Sequence, residues 1–399
     1  MTVEGPQPMP LARTEATFVS PIVESRRWLQ GLTFSDDAPL LNLSQAAPAD
    51  PPPDGLRQAM AEAVLHQTSA HLYGPVLGND DLRAALAAQM SRHYDATVRA
   101  DETAITSGCN QAFAATIASL SGEGDEVILP TPWYFNHKMW LDMQGVTTLP
   151  LPVGAGMLPE VARAEAMITE RTRAIALVTP NNPCGVEYPA DLLDGFFDLA
   201  RRHGLTLIVD ETYRDFDSRS GAPHRLFQTE GWQDTLVHLY SFSKAYRLTG
   251  HRVGAIATGR ARLMEMEKFL DTVTICPAQV GQIGATWGIE NLDQWLAGER
   301  AEILDRRAAI EEGFAPLAEK GWTLLGVGAY FAYVAHPFDQ SADVIAQKLL
   351  KEAGVLLLPG TMFSPEDAPE GQRQFRVAFA NVDRAGISEM LRRLADFTG

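Results

Sequence analysis

The stretch LYSFSKAYRLTGHRVG, residues 239–254, carries the reading of this chain. It begins inside an apolar run, Thr235 to Tyr240, that reads as a buried strand, and it sets Ser241, Phe242, Ser243 and Lys244 where that strand should end. A lone lysine is ordinarily a solvated surface residue. Lys244 has neighbours that argue otherwise: Ser241 and Ser243 precede it, and Arg252 comes after it, ahead of Gly254. Hydroxyl donors and a guanidinium around an amine suit a lysine that holds a cofactor aldehyde beside a phosphate.

Outward from this stretch, short apolar runs alternate with helical segments. The runs are 104–106, 127–129, 148–149, 175–178, 205–209, 236–240 and 253–258, seven in all. Strands separated by helices predict α/β units in a mainly parallel seven-stranded sheet, with ligands gathered at the strands' carboxyl ends. The residues just past each run are therefore the informative ones. After the first run comes Ser107-Gly108-Cys109-Asn110 and a helical stretch, where a glycine leaves free backbone N–H groups for an anion. After the second comes the aromatic cluster Trp133-Tyr134-Phe135, and after Val178 the turn Asn181-Asn182-Pro183-Cys184-Gly185. The run LTLIVDETY, 205–213, ends in Asp210, Glu211 and Tyr213. A carboxylate closing a buried strand needs a partner, and a protonated pyridine nitrogen is one. Arg376 sits in the otherwise apolar segment 375–380, where a guanidinium must reach water or meet an anion.

The pattern S-x-S-K, an arginine eight residues on, then x-G, resembles the cofactor-lysine region of the class I and II aminotransferases, which are pyridoxal-phosphate enzymes of fold type I. The other landmarks occur in the family's order, so the resemblance covers nearly the whole chain. It implies pyridoxal 5'-phosphate as cofactor and Lys244, Asp210 and Tyr213 as catalytic residues. It gives Lys244 the cofactor's Schiff base and the proton shuttle, and Asp210 the ring nitrogen. Gly108, Cys109, Asn110, Ser241, Ser243 and Arg252 would hold the phosphate. Tyr213 and Asn182 would reach the ring oxygen, and Arg376, with Asn182, would hold the substrate's α-carboxylate. Tyr73, in the loop Tyr73-Gly74-Pro75, would reach the cofactor phosphate of a partner subunit. An aromatic would stack on the ring, and counting from Thr131-Pro132 favours Tyr134 over Trp133 by one place. The chain departs from the family at Cys184, where Thr or Ser is usual, and at Arg247, where glycine is usual.

At 399 residues the chain is long for one core and predicts two domains. The division reads as an arm with part of a small domain, 1–48, a large cofactor-binding domain, 49–290, and a small α+β domain, 291–399. Helices are expected at 21–29, at 53–66 with Leu56, Met60 and Val64 inward, from Asp80, and as one long charged segment over 290–321. Small-domain strands are expected at 329–334, 355–358 and 375–380. A net charge of -17 argues against nucleic-acid partners. Three scattered cysteines without C-x-x-C argue against zinc or a disulfide scaffold. Without an apolar signal core or an apolar stretch of about 18 residues, no membrane association and a cytoplasmic location are expected.

The function expected is transfer of an amino group from an L-amino acid, neutral or aromatic, to a 2-oxo acid by a ping-pong route in a homodimer. A C–S β-lyase of the same fold uses the same landmarks. A non-catalytic regulator would want a fused DNA-binding segment, for which the arm is too short and acidic. Arg26, Arg27 and Arg247 are the candidates for a second carboxylate on the substrate.

Overall fold

The computed structural model describes residues 12–399, so the first part of the expected arm, 1–11, lies outside it. Thirteen strands form three sheets among the described residues. In chain order they are β1 (Leu41–Asn42), β2 (Thr103–Thr106), β3 (Glu126–Thr131), β4 (Thr147–Pro152), β5 (Thr172–Val178), β6 (Thr206–Asp210), β7 (Leu236–Ser241), β8 (Gly254–Ala257), β9 (Thr323–Gly328), β10 (Phe331–Ala335), β11 (Val355–Leu356), β12 (Leu358–Pro359) and β13 (Gln374–Ala378). The large sheet runs β2-β8-β7-β6-β5-β3-β4. It is built from the seven runs expected, and it is parallel except that β8 lies antiparallel to both β2 and β7.

That single reversal positions the site. Thr106 and Ser241 both pair with Gly254, so the carboxyl ends of β2 and β7 meet the beginning of β8. Arg252, two residues before β8 starts, thus arrives where the other strands finish. One step along the sheet, Val178, Asp210 and Leu239 share a row. The sheet is sandwiched between apolar layers, with Leu207 and Val209 in one cluster and Ile208 in the other. Alternate residues of β6 therefore enter opposite faces, as strand geometry requires.

A second core combines Leu43 and Ala46 with residues from 303 to 397. Its antiparallel sheet is ordered β12-β13-β10-β9, and β1 pairs with β11 in a separate parallel pair. Tyr213 and Phe216, just past β6, belong to this second core, so the end of the large sheet is packed against it.

Several expectations change. The segment 290–321 is not one helix but the end of Gln279–Asn291, then Asp293–Gly313 and Ala315–Glu319. Pro316 has no N–H to continue a helix and sits in the first turn of the third piece, where none is needed. In the helix Asp54–His66 the inward residues are Leu56, Met60 and Ala63, while Val64 is exposed. A spacing of four, four drifts off a face of 3.6-residue period. The apolar run 355–358 is two short strands in two sheets, and β9 carries too little apolar contrast to stand out in the sequence.

Candidate active site

A cavity of about 410 Å³ opens at the carboxyl end of the large sheet, against β10 and β13 of the small one. Lys244 leads out of β7 in the one-turn helix Phe242–Ala245, capped by Ser241, whose Oγ accepts from Ser243 N at 3.3 Å. Lys244 Nζ donates to the carbonyl of Ala46 at 2.6 Å. Burial first, then the positive charges of Arg252 and Arg376, pull its pKa down to about 8.

Asp210 ends β6 facing the cavity, and it is 3% exposed. Its Oδ1 accepts from Thr212 N at 3.0 Å and Thr212 Oγ1 at 2.7 Å, and its Oδ2 lies 3.3 Å from His137 Nε2. Burial alone would push this carboxyl up, but His137 and Thr212 outweigh it and hold it below the ordinary range. Glu211, the next residue, faces away and accepts from Tyr94 Oη at 2.5 Å and from His238 and His224 at 2.8 and 3.0 Å. His137, three places after Tyr134, carries no role in the sequence reading. In the structure its ring stacks on Phe113, with centroids 3.8 Å apart, behind the aspartate.

The anion cradle is built by close approach. Gly108 caps the helix Cys109–Leu120 at φ 85°, and a Cβ there would run into the guanidinium of Arg252. Only glycine lets that arginine lie on the helix N-terminus, whose first-turn N–H groups, at Cys109 and Asn110, have no partner within the helix. Arg252 also donates to Ser243 Oγ at 3.3 Å. Cys109, Asn110, Ser241 and Ser243 all line the cavity.

Tyr134 lines the same cavity and donates to Asn110 Oδ1 at 3.1 Å. Trp133 packs into the core with Leu129 and Leu141 instead. The one-place choice between them therefore goes to Tyr134 as the cavity aromatic. Tyr213 borders the cavity and meets Phe331 edge to face at 5.2 Å.

Arg376, on β13, is 2% exposed and lies between the rings of Phe331 and Phe363, 5.0 and 4.9 Å from their centroids. Its Nη1 donates to Asn182 Oδ1 at 3.0 Å and its Nη2 to the carbonyl of Ser44, while its Nε has no partner among the described residues. Burial lowers it to about 10, partly countered by nearby tyrosines. No carboxylate among the described residues pairs with it. A desolvated guanidinium met only by neutral acceptors is an anion site held ready. The Asn182 loop reaches this point because Gly185, at φ 77°, packs backbone to backbone on β9 and β10 at Gly328 and Phe331. Cys184 is buried, with its N–H on Asn181 Oδ1 at 2.9 Å.

Three candidates stand elsewhere: Arg27, paired with Glu24 at 3.2 Å, Tyr73 and Arg247. Tyr73 is 80% exposed and outside its own chain's cavity. Arg247 turns from the cavity to grip Glu299 with two nitrogens, 2.9 Å each, and approaches Asp50. Sequence reasoning missed the carbonyls of Ser44 and Ala46, which accept from Arg376 and Lys244, because carbonyl groups leave no signature in residue type.

The donor set fits pyridoxal phosphate. A glycine-walled cradle with Arg252 suits a dianion, the buried Asp210 suits a protonated ring nitrogen, and Lys244, in the same cavity, feels the charges of both Arg252 and Arg376.

The family described as aminotransferase class I and II matches residues 38–394. A valine–pyruvate aminotransferase of Mycobacterium tuberculosis is 30% identical over 374 residues, covering 90% of this chain and 91% of that one. An aromatic aminotransferase of Arabidopsis thaliana is 29% identical over 340 residues, 80% of this chain and 82% of its own. Among solved structures, a single mutant of Thermus thermophilus aspartate aminotransferase superposes with a TM-score of 0.86 at 24% identity, over 98% of this chain and 99% of that one.

Proposed function

Because the chain belongs to the class I and II aminotransferases, with pyridoxal 5'-phosphate as cofactor, we propose that its cavity passes the amino group of a neutral or aromatic L-amino acid to a 2-oxo acid in two half-reactions, with Lys244 carrying the proton. Bound pyridoxal phosphate supplies an aldehyde carbon that takes up the amino group and a protonated ring that draws off electrons as the α-proton leaves.

The chain's own groups bind, orient and move the proton. Cys109 and Asn110 would give backbone N–H donors to the phosphate, with Ser241, Ser243 and Arg252, while Gly108, whose own N–H is taken by the Thr106 carbonyl at 2.8 Å, leaves the room that Arg252 occupies. Asp210, held below the ordinary carboxyl range by His137 and Thr212, would keep the proton on the ring nitrogen of a bound cofactor. Tyr213 would donate to the ring oxygen of the bound cofactor. Asn182 would do the same from its amide nitrogen, since its carbonyl oxygen is engaged by Arg376. Tyr134, in the cavity wall, would cover a face of the bound ring and keep water off it. Arg376 would take the α-carboxylate, adding a charged partner to the neutral acceptors it already has. Lys244, with a pKa of about 8, is a base strong enough to take the α-proton and is partly unprotonated near neutrality. Ile22, Val23 and Phe331 in the cavity wall support a neutral or aromatic side chain, as do relatives named for valine and for aromatic amino acids.

The observation that carries this reading is the buried Arg376 with no carboxylate partner among the described residues, in one cavity with a desolvated lysine. A neutral amino acid added alone should yield one equivalent of 2-oxo acid per site with no continuing ammonia release, and a 2-oxo acid should then restore the starting absorption. Sustained ammonia and pyruvate from a cysteine conjugate would make the protein a β-lyase instead.

The division of labour we assign is a cofactor-binding domain over 49–290, and a small domain over 291–399 with part of 1–48. The working form is a homodimer in which Tyr73 serves the partner's phosphate site. Support comes from the exposed apolar group Leu65, Leu72 and Tyr73, 71, 59 and 80% accessible, which a neighbouring copy would cover. No helix among the described residues is long and apolar enough to cross a membrane; the cytoplasm is the proposed location.

A further inference from the structure

A second cavity, of about 710 Å³, shares no lining residue with the one around Lys244. Along the chain the two are one residue apart, since Tyr213 borders the first and Arg214 the second. Arg214 is 2% exposed. Its guanidinium lies over the Tyr240 ring, 3.8 Å from the centroid, and its Nη2 donates to Gln89 Oε1 at 2.8 Å. Nε and Nη1 have no hydrogen-bond partner among the described residues. Asp215 comes within 3.9 Å of Nε, too far for a hydrogen bond, and accepts from Tyr240 Oη at 2.8 Å instead. Two unpaired nitrogens on a buried guanidinium are costly, and the proposed reaction makes no use of this arginine.

Its surroundings are basic as well. Four arginines line the cavity, Arg92, Arg214, Arg219 and Arg300, with three aspartates, Asp95, Asp215 and Asp217, which leaves one positive charge in excess. Arg219 is spent on Asp217, to which its Nε donates at 2.9 Å. Arg300, on the helix Asp293–Gly313, donates only to carbonyls, those of Asp217 at 2.8 Å and Arg219 at 3.0 Å. Arg92 is exposed at the end of the helix Asp80–His93 and meets no carboxylate among the described residues. Beside it, His93 also lines the cavity, with a buried Nε2 that has no partner among the described residues. Burial, and then the charge of Arg214, brings His93 down to about 4, so near neutrality it stays uncharged and can still donate from one ring nitrogen.

We propose that this cavity binds a small oxyanion, a phosphate or a carboxylate, on Arg214, Arg300 and Arg92, apart from both the Gly108 cradle and Arg376. The unpaired N–H groups of Arg214 gain a charged acceptor, while Gln89 keeps its third nitrogen in place. Arg300 keeps its bonds to the two carbonyls and adds a charged partner to them. Oxyanions fit because one such group offers several lone pairs to donors that converge from different segments. The carbonyls that Arg300 holds, and Arg219 itself, belong to the turn that walls the cavity, so the site is built on a fixed frame.

Calorimetric titration of the cofactor-loaded enzyme with inorganic phosphate, and separately with acetate, tests this, because bound cofactor fills the Gly108 cradle. Each titration is repeated in Arg376→Met, which takes away the carboxylate site proposed above. The expected result is one saturable event per chain for at least one of the two anions, retained in Arg376→Met. Arg92→Gln and Arg300→Gln should each weaken it by about fivefold or more, Arg214→Gln by about tenfold or more, and Arg214→Lys should recover part of that loss. Arg201→Gln, an exposed arginine of another helix paired with Asp198, should leave it unchanged. Phosphate alone, acetate alone or both identifies the oxyanion preferred, and each supports the site. Absence of any event, loss of the event in Arg376→Met, or affinity unaltered in both Arg92→Gln and Arg300→Gln overturns it. Those two variants decide the question even where Arg214→Gln fails to fold, since neither residue is buried.

Discussion

Lys244 is desolvated and feels the charge of two arginines, Arg252 and Arg376. Its folded pKa of about 8 lies below the ordinary lysine value of 10.5. Between those values the unfolded chain binds the extra proton, so this position contributes stability that grows as pH rises across the window and is lost as it falls. The same shift sets reactivity. Labelling of Lys244 in the cofactor-free protein by an amine-reactive probe, read out by peptide mapping, should rise through about pH 8. A rise delayed to the ordinary lysine range would contradict the burial argument. Asp210 is the converse case, a buried carboxylate kept ionised by His137 and Thr212. Replacing it with alanine should slow α-proton removal by roughly 10²-fold or more while the phosphate contacts keep the cofactor bound. Isotope exchange at the α-carbon and cofactor titration separate the two effects, and an unchanged exchange rate would remove Asp210 from the site.

At the scale of elements, the antiparallel β8 brings Arg252 to the same edge as the carboxyl ends of β2 and β7, and Gly108 leaves room for it. Gly108→Ala adds a methyl group where the Arg252 guanidinium lies, at a φ of 85° that alanine tolerates poorly. Cofactor affinity should drop by about tenfold to a hundredfold, with Kd measured by absorbance, while the far-ultraviolet dichroism stays that of the wild type. Affinity equal to the wild type would mean that Arg252 is not set against this helix end. The two short strands of 355–358 show a related division of labour. Val355-Leu356 pairs with β1, and Leu358-Pro359 with β13, so one apolar run knits the N-terminal segment to the strand that carries Arg376.

For the whole molecule, the proposed homodimer makes each site depend on two chains. Lys244→Ala should be inactive, and Tyr73→Phe severely impaired. Mixed and allowed to exchange subunits, the two should recover activity, because one heterodimer site receives an intact Lys244 from one chain and an intact Tyr73 from the other. Absence of rescue after subunit exchange has been demonstrated by mass would place Tyr73 in its own chain's site or outside the site altogether. A dimer so formed would also cover Leu65 and Leu72, so dilution to monomers should expose apolar surface to a hydrophobic dye.

What residue order alone determined here was everything written in short-range pattern. Alternating apolar runs specify seven strands of the large sheet, and strand ends leading into Gly108, Asp210 or Lys244 mark where polar chemistry interrupts a buried run. Arg376 was legible for the same reason, a charge inside an apolar segment. The tertiary structure decided what depends on contacts between distant residues. It sends Tyr134 into the cavity and Trp133 into the core, turns Glu211 toward its histidines while Asp210 faces the site, and spends Arg247 on Glu299. It also brings residues 44–46 beside Lys244, Arg26 and Arg376. Side-chain period and residue type are local and can be read along the chain. Which face is buried, and which carbonyl meets which cation, depends on packing among segments up to 332 residues apart.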